Sequence, residues 1–288
     1  MEQVIANGLY LGAQYALIAL GLTLIFALMN VLNFAHGQLY VLGGFITYLV
    51  YGQLGLPFVL AVLASGLTLM LVGAVLEKFL FRTVIRRSER DESTMLLAAA
   101  IAFFLDAVIL LLFGEKQRGV PKILDGVLLT DTIVMPYDRI LVGVIALAMI
   151  AAFMLFMQYS KPGRAMRALA QDRVAAQLMG VKVDRYSMIG FALAAMLAGV
   201  VGGLLVAITG VNSGIGGAVS IKAFIMVMIG GAGVVGGAIA GGFILGMLES
   251  VGLTVLRDYG DITYLVIFAG LMVFLSLRPH GLMGKPWG

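Results

Sequence analysis

The chain has 288 residues, of which 61% are hydrophobic and only 12% charged, with a formal net charge of +4. Soluble domains carry about twice that charged fraction, so apolar stretches of near-membrane length define the class: an all-α polytopic membrane protein. With no cysteine there is no disulfide framework, thiolate metal site or cysteine nucleophile, and the net charge speaks to membrane orientation rather than nucleic-acid binding.

In chain order, spans are expected near 8–29, 38–53, 57–81, 94–113, 140–159, 188–209, 219–231, 236–252 and 262–277. The first run lacks a basic leader and a small-residue cleavage site, so it reads as a span and not a signal peptide. The segments 38–53 and 219–231 are short for a full crossing, which gives eight or nine spans, with the count uncertain over 210–237. Basic residues set the orientation. Arg82, Arg86, Arg87 and Arg90 form one cluster, and Lys161, Arg164, Arg167, Arg173, Lys182 and Arg185 another; Arg278 and Lys285 mark the C-terminus. These segments are expected in the cytoplasm. The loop 114–139 is mixed in sign and is expected outside. Nine spans with an external N-terminus meet all of these placements. Trp287 reads as a membrane-interface residue.

Two polar breaks interrupt the apolar pattern. The first holds Asn30, Asn33, His36 and Gln38, the second Thr209, Asn212, Ser213 and Ser220 among Gly214, Gly216 and Gly217. Backbone leaving a helix within a membrane must be satisfied by protein or by a wet cavity. Each break therefore either lines a solute path or is a surface turn. The layout after the first span, NVLNFAHGQLYVLGGFI, is echoed after the sixth by GVNSGIGGAVSIKAFIMVMIGG, a hint of an internal repeat of the kind that brackets transport paths. His36 and His280 are too far apart in sequence to suggest zinc ligation.

The glycines Gly233, Gly237, Gly241, Gly242 and Gly246, with Gly199 and Gly203, follow small-xxx-small spacing and read as helix packing. Asp106 lies within the fourth span. It is either an interhelical hydrogen-bond partner or the coupling site of a proton-driven carrier. Glu77, Lys78 and Arg82 are expected to snorkel from a helix end.

Ser160–Tyr186 is a polar, basic island between apolar runs. Its apolar set, Ala165, Ala168, Leu169, Val174, Ala175, Leu178 and Met179, has helical spacing, and Gly180 is placed as a C-terminal cap. It either lies on anionic lipid or docks a soluble partner. No GxxxxGK[ST] loop is present, so any ATP dependence must come from another polypeptide. Ser213 and His36 make no convincing protease pair.

Three stretches carry a family resemblance: GLYLGAQYALIALGLTLIFALMNVLNFAHGQLYVLGGFI, KPGRAMRALAQDRVAAQLMGVKVDRYSMIGFALAAMLAGVVGGLL, and IKAFIMVMIGGAGVVGGAIAGGFILGMLE with a terminal RPHGLMG. The chain resembles the permease subunits of ABC importers for branched-chain amino acids, of the LivH type. The resemblance implies a type II-like importer permease with no catalytic residue of its own. It also implies a second homologous permease subunit, two cytoplasmic ATPase subunits that hold ATP and magnesium, and a periplasmic or lipoprotein solute-binding protein. The setting would be a bacterial or archaeal cytoplasmic membrane. The segment 160–187, with Arg167, Ala168, Asp172, Ala175, Ala176, Leu178 and Gly180, would contact the ATPases. Asn30, Asn33, His36, Gln38, Thr209, Asn212 and Ser213 would line the path. Relatives with these motifs also import urea and short amides, which remain an alternative cargo.

Overall fold

The computed structural model describes residues 1–88, 91–130, 132–255 and 260–284. Arg90, Lys285 and Trp287 lie outside the described residues. The elements are α1 (Glu2–Met29), α2 (His36–Thr47), α3 (Phe58–Val75), α4 (Arg82–Arg87), α5 (Asp91–Phe113), α6 (Tyr137–Tyr159), α7 (Lys161–Gln171), α8 (Arg173–Leu178), α9 (Val183–Thr209), α10 (Ile215–Gly230), α11 (Val235–Val255) and α12 (Gly260–Leu277). A short antiparallel hairpin, β1 (Val127–Leu129) with β2 (Val134–Pro136), stands between α5 and α6. α2 runs on through a wider π-helical stretch, Tyr48–Gln53, and α3 reaches α4 through another, Leu76–Phe81. Six helical stretches of the described residues are long and apolar enough to cross a membrane; Ile215–Gly230 and Leu265–Leu277 are shorter apolar helices. This is a multi-pass membrane protein.

α1 and α9 form the centre of the bundle. Most residues of both are buried, so both read as apolar all round, unlike a surface helix with one apolar stripe. α1 lies along α11, and α3 lies along α9. These two contacts are counterparts. The unit α1–break–α2–α3 has the layout of α9–break–α10–α11, and the third helix of each unit packs on the first helix of the other.

The two units run in opposite directions. The start of α1 meets the hairpin, where Gln3 Nε2 donates to the Val134 carbonyl at 3.2 Å. The other end of α1 meets α7 and the turn 232–235 around one groove. α9 starts beside the basic residues of α4 and ends where Gln117 Nε2 donates to the Thr209 carbonyl at 2.6 Å. The bundle thus has a hairpin end and a basic end.

Glycine permits the close helix crossings. A Cβ on Gly246 would strike the Gly12 backbone, one on Gly242 the Ala16 backbone, and one on Gly241 the Met226 carbonyl. Gly233 departs from the expected ladder: it sits in the turn before α11 with φ of 79°. The C-terminal strap completes the basic end. Leu282 and Met283 N–H groups donate to the Ile229 and Gly230 carbonyls at 2.9 and 3.0 Å, satisfying carbonyls that the end of α10 would leave bare.

Candidate functional site: two helix breaks, a basic end and an ion pair between helices

The first break begins at Asn30, which ends α1 in the left-handed conformation (φ 54°), its N–H donating to the Phe26 carbonyl at 2.8 Å. Asparagine tolerates this backbone better than most non-glycine residues. The chain then runs irregularly back into the bundle. Asn33 Oδ1 accepts from the Ala35 N–H at 3.1 Å, organising the turn into α2. His36 is fully buried, with Nε2 3.2 Å from the Ile18 carbonyl midway along α1. Gln38 Nε2 donates to Asp106 Oδ1 at 3.1 Å, joining α2 to α5.

The second break packs on the first. Ser220 Oγ accepts from the Gly37 N–H at 3.0 Å and donates to the Phe34 carbonyl at 3.0 Å. Gly216 lies against the Gln38 side chain. One serine hydroxyl thereby satisfies two backbone groups that the first break frees.

The expected path residues occupy three levels. Asn30 lines a groove of about 740 Å³ at the basic end, together with Met166, Arg167 and His280. Asn33, His36 and Gln38 are buried in the middle. Thr209 and Asn212 lie at the hairpin end: Thr209 Oγ1 donates to the Leu205 carbonyl at 3.1 Å, and Asn212 Oδ1 accepts from the Gly214 N–H at 3.0 Å. Ser213 is buried. The loop 114–139 covers this end, with Arg118 and Val211 exchanging backbone hydrogen bonds at 2.8 and 2.7 Å.

The basic island is two helices. Ser160 Oγ accepts from the Gly163 N–H at 2.9 Å to cap α7, and Asp172 Oδ1 accepts from the Ala175 N–H at 2.9 Å to cap α8. The helical pattern expected across 165–179 is therefore interrupted at Asp172, whose carboxylate accepts from the Ala175 N–H and starts α8 as a new helix. Gly180 has φ of 84° just past α8, as a capping glycine does. Met166, Leu169 and Ala176 are buried against the bundle. Val174, Leu178 and Met179 are exposed by 69%, 83% and 84%; Ala168 on α7 packs against the core, Arg167 donates to the Gln158 carbonyl at 3.1 Å, and Asp172 and Ala175 are exposed.

Glu77 and Arg82 do not snorkel. Glu77 is only 2% exposed and accepts from Arg82 at 2.6 and 3.2 Å; Arg82 also donates to the Asp184 carbonyl at 3.0 Å, and Arg86 pairs with the Asp184 carboxylate. This clamp ties the end of α3 to the start of α9. Lys78 alone keeps to the expected pattern, lying near the Phe79 ring.

One constellation lies outside the residues expected from the sequence. Lys222 Nζ donates to Glu249 at 2.9 and 3.2 Å and to the Tyr15 hydroxyl at 2.8 Å, while that hydroxyl donates to Glu249 Oε2 at 2.5 Å. Tyr15, Lys222 and Glu249 come from α1, α10 and α11. The visible signal was two opposite charges, each alone within a long apolar run. Both stand in glycine-rich stretches whose spacing points to helix packing.

The fold is that of a mostly helical, multi-pass membrane protein, with paired breaks, opposed repeats and a basic two-helix element at one end. Residues 4–276 match the family described as branched-chain amino acid transport system / permease component, and the chain belongs to that family. It is 32% identical to the high-affinity branched-chain amino acid transport system permease protein BraD of Pseudomonas aeruginosa, over 99% of this chain and 96% of that one. It is 31% identical to LivH of Escherichia coli, over the same shares of the two chains. The probable branched-chain amino acid transport permease protein LivH of Methanocaldococcus jannaschii is 27% identical, over 99% and 94%. PsaBC from Streptococcus pneumoniae, solved in complex with a Fab, gives a TM-score of 0.48 at 17% identity, covering 96% of this chain and 95% of that chain.

Proposed function

We propose that this chain is the membrane-spanning subunit of a binding-protein-dependent ABC importer for branched-chain or related hydrophobic amino acids. The observation that carries the reading is the near-full-length similarity to relatives named for that transport. ATP and magnesium sit on partner ATPases, and the chain itself catalyses no reaction.

In this reading the hairpin end faces outward and the basic end, with the C-terminus, faces the cytoplasm of a bacterial or archaeal cell. The broken passes, 30–53 and 210–230, then each cross once, giving nine crossings in a type II-like permease. The surplus of Lys and Arg at the basic end supports this orientation. A second, homologous permease subunit completes the path, and a periplasmic or lipoprotein binding protein delivers the solute.

Two ATPase subunits dock on α7 and α8. The exposed apolar trio Val174, Leu178 and Met179, rimmed by basic residues, supports a protein contact there. Nucleotide binding draws the ATPases together, and α7 passes that motion to α9 and to the end of α1, both of which it touches. The polar residues of the two breaks then line a path that opens alternately to either side.

The test is purification of the tagged chain in mild detergent with its neighbours, followed by ATPase assays with the binding protein and a panel of amino acids, urea and short amides. Co-purifying ATPases stimulated by leucine, isoleucine or valine support the reading. Stimulation by urea or amides alone would move the cargo. A chain that transports alone, without ATP, would overturn it.

A further inference from the structure

A cavity of about 710 Å³ opens at the basic end, between α4, α8, the start of α9 and the helical stretch that joins α3 to α4. Six cationic residues line it: Lys78, Arg82, Arg86, Arg173, Lys182 and Arg185. The acids beside them are already engaged, Glu77 by Arg82 and the Asp184 carboxylate by Arg86. Lys78, Arg173, Lys182 and Arg185 form no ion pair among the described residues. Like charges gathered around one concavity raise its potential, and an anion relieves their repulsion. The start of α9 adds to the field: no side chain caps it at Lys182, and a helix N-terminus carries partial positive charge.

The cavity lies at the depth of a membrane surface. From Phe58 to Lys78 the helical stretch Phe58–Arg87 rises about 30 Å, the thickness of a hydrocarbon core. Lys78 therefore stands where hydrocarbon gives way to headgroups. Leu67, Leu71, Val75 and Phe79, on successive turns of the same stretch, are all exposed. This apolar stripe runs down to the cavity, for the Lys78 ammonium is 5.3 Å from the centroid of the Phe79 ring.

We propose that this cavity takes the headgroup of an anionic phospholipid, its phosphate drawn by the unpaired cations Lys78, Arg173, Lys182 and Arg185 and its acyl chains laid along the stripe of α3. A phosphodiester is an acceptor-rich anion suited to charged donors, and basic pockets between spans at a membrane surface favour such headgroups. Soluble phosphate meets the same cations but leaves the stripe uncovered. A zwitterionic lipid brings its own cation among four others. The inference goes beyond the importer reading and requires only that the chain spans a membrane, so either can fail without the other.

The test is native mass spectrometry of the full chain in detergent, titrated with phosphatidylglycerol or with phosphatidylcholine of the same acyl chains. The parent is expected to retain a first phosphatidylglycerol at least about tenfold better than phosphatidylcholine, the scale of one charge-assisted hydrogen bond. Lys78→Gln combined with Arg185→Gln changes two exposed side chains and should abolish that preference, whereas Lys78→Arg should keep it. Lys161→Gln combined with Arg164→Gln removes the same charge from exposed positions on α7 that do not line the cavity, and should also keep it. Equal loss in the two double variants would overturn the proposal and leave only diffuse attraction to a basic surface. No preference in the parent would overturn it as well. Displacement of the lipid by inorganic phosphate at matched ionic strength would make this a soluble-anion site and overturn the lipid assignment. Undiminished lipid retention in the cavity variant, with loss of co-purifying ATPases, would overturn it in favour of a protein contact. If the cavity variant does not fold, Lys182→Gln decides: retention should fall about fivefold, the worth of one basic residue at an anionic surface, and unchanged retention would overturn the proposal.

Discussion

Gly37 and Gly216 meet backbone to backbone where the two helix breaks cross, and a Cβ on Gly37 would land on the Gly216 carbonyl. The crossing is also where Ser220 bonds both Gly37 and Phe34. Neither glycine has a positive φ; what they supply is room for two backbones to approach.

Gly37→Ala is therefore expected to force α2 and α10 apart. Overpacking of a tight interior costs about 1–3 kcal/mol, and the rigid carbonyl opposite leaves little relief. The measurement is thermal stability of the detergent-purified chain. Gly217→Ala is the control, since a Cβ there meets nothing within 4 Å, and it should leave stability unchanged.

Asp106→Asn is expected to leave uptake and its pH dependence intact. The Asp106 carboxylate accepts from Gln38 across two helices, and an asparagine carbonyl can accept the same bond. A proton-driven carrier would lose uptake on this change, so transport assays at several pH values separate the two mechanisms.

Much of the helical layout was legible because apolar runs of about 20 residues have the length of a membrane-crossing helix. The repeat was visible only as layout, since what the two units share is the position of a break and not residue identity. Its opposed direction needed the contacts of α3 with α9 and α11 with α1. The Lys222–Glu249 pair was hidden for another reason: 27 positions separate its members, and helical spacing links residues only within a turn or two. The clamp of Glu77 and Arg82 is not legible from their place at a helix end, because its partner segment at Asp184 lies about a hundred residues on. The break at Asp172 was, by contrast, readable: an aspartate three residues before Ala175 inside a helical pattern is a capping signal.

Arg82→Ala is expected to destabilise the protein strongly, because it strands the Glu77 carboxylate. Removing one partner of a buried pair costs about 3–5 kcal/mol, and somewhat less is expected here because Arg82 keeps partial contact with solvent. Adding Glu77→Gln should recover part of the loss by removing the stranded charge. Yield and melting temperature of the three variants in detergent check this, and equal destabilisation of the single and double variants would count against the clamp.

Leu178→Glu and Ala176→Glu should part company although they lie two residues apart on α8. Leu178 is exposed and touches solvent along most of its side chain, while Ala176 is buried against the bundle. A carboxylate at 178 costs the isolated chain almost nothing, since surface changes fall within about 0.5 kcal/mol, yet it places a charge in the middle of the apolar trio. Membrane insertion should therefore be normal, while solute-stimulated ATP hydrolysis and ATPase co-purification drop. A carboxylate at 176 has no partner in its buried position and should lower the yield of folded protein before any coupling can be read. If Leu178→Glu keeps full coupling, α8 rests on lipid and the ATPases dock elsewhere.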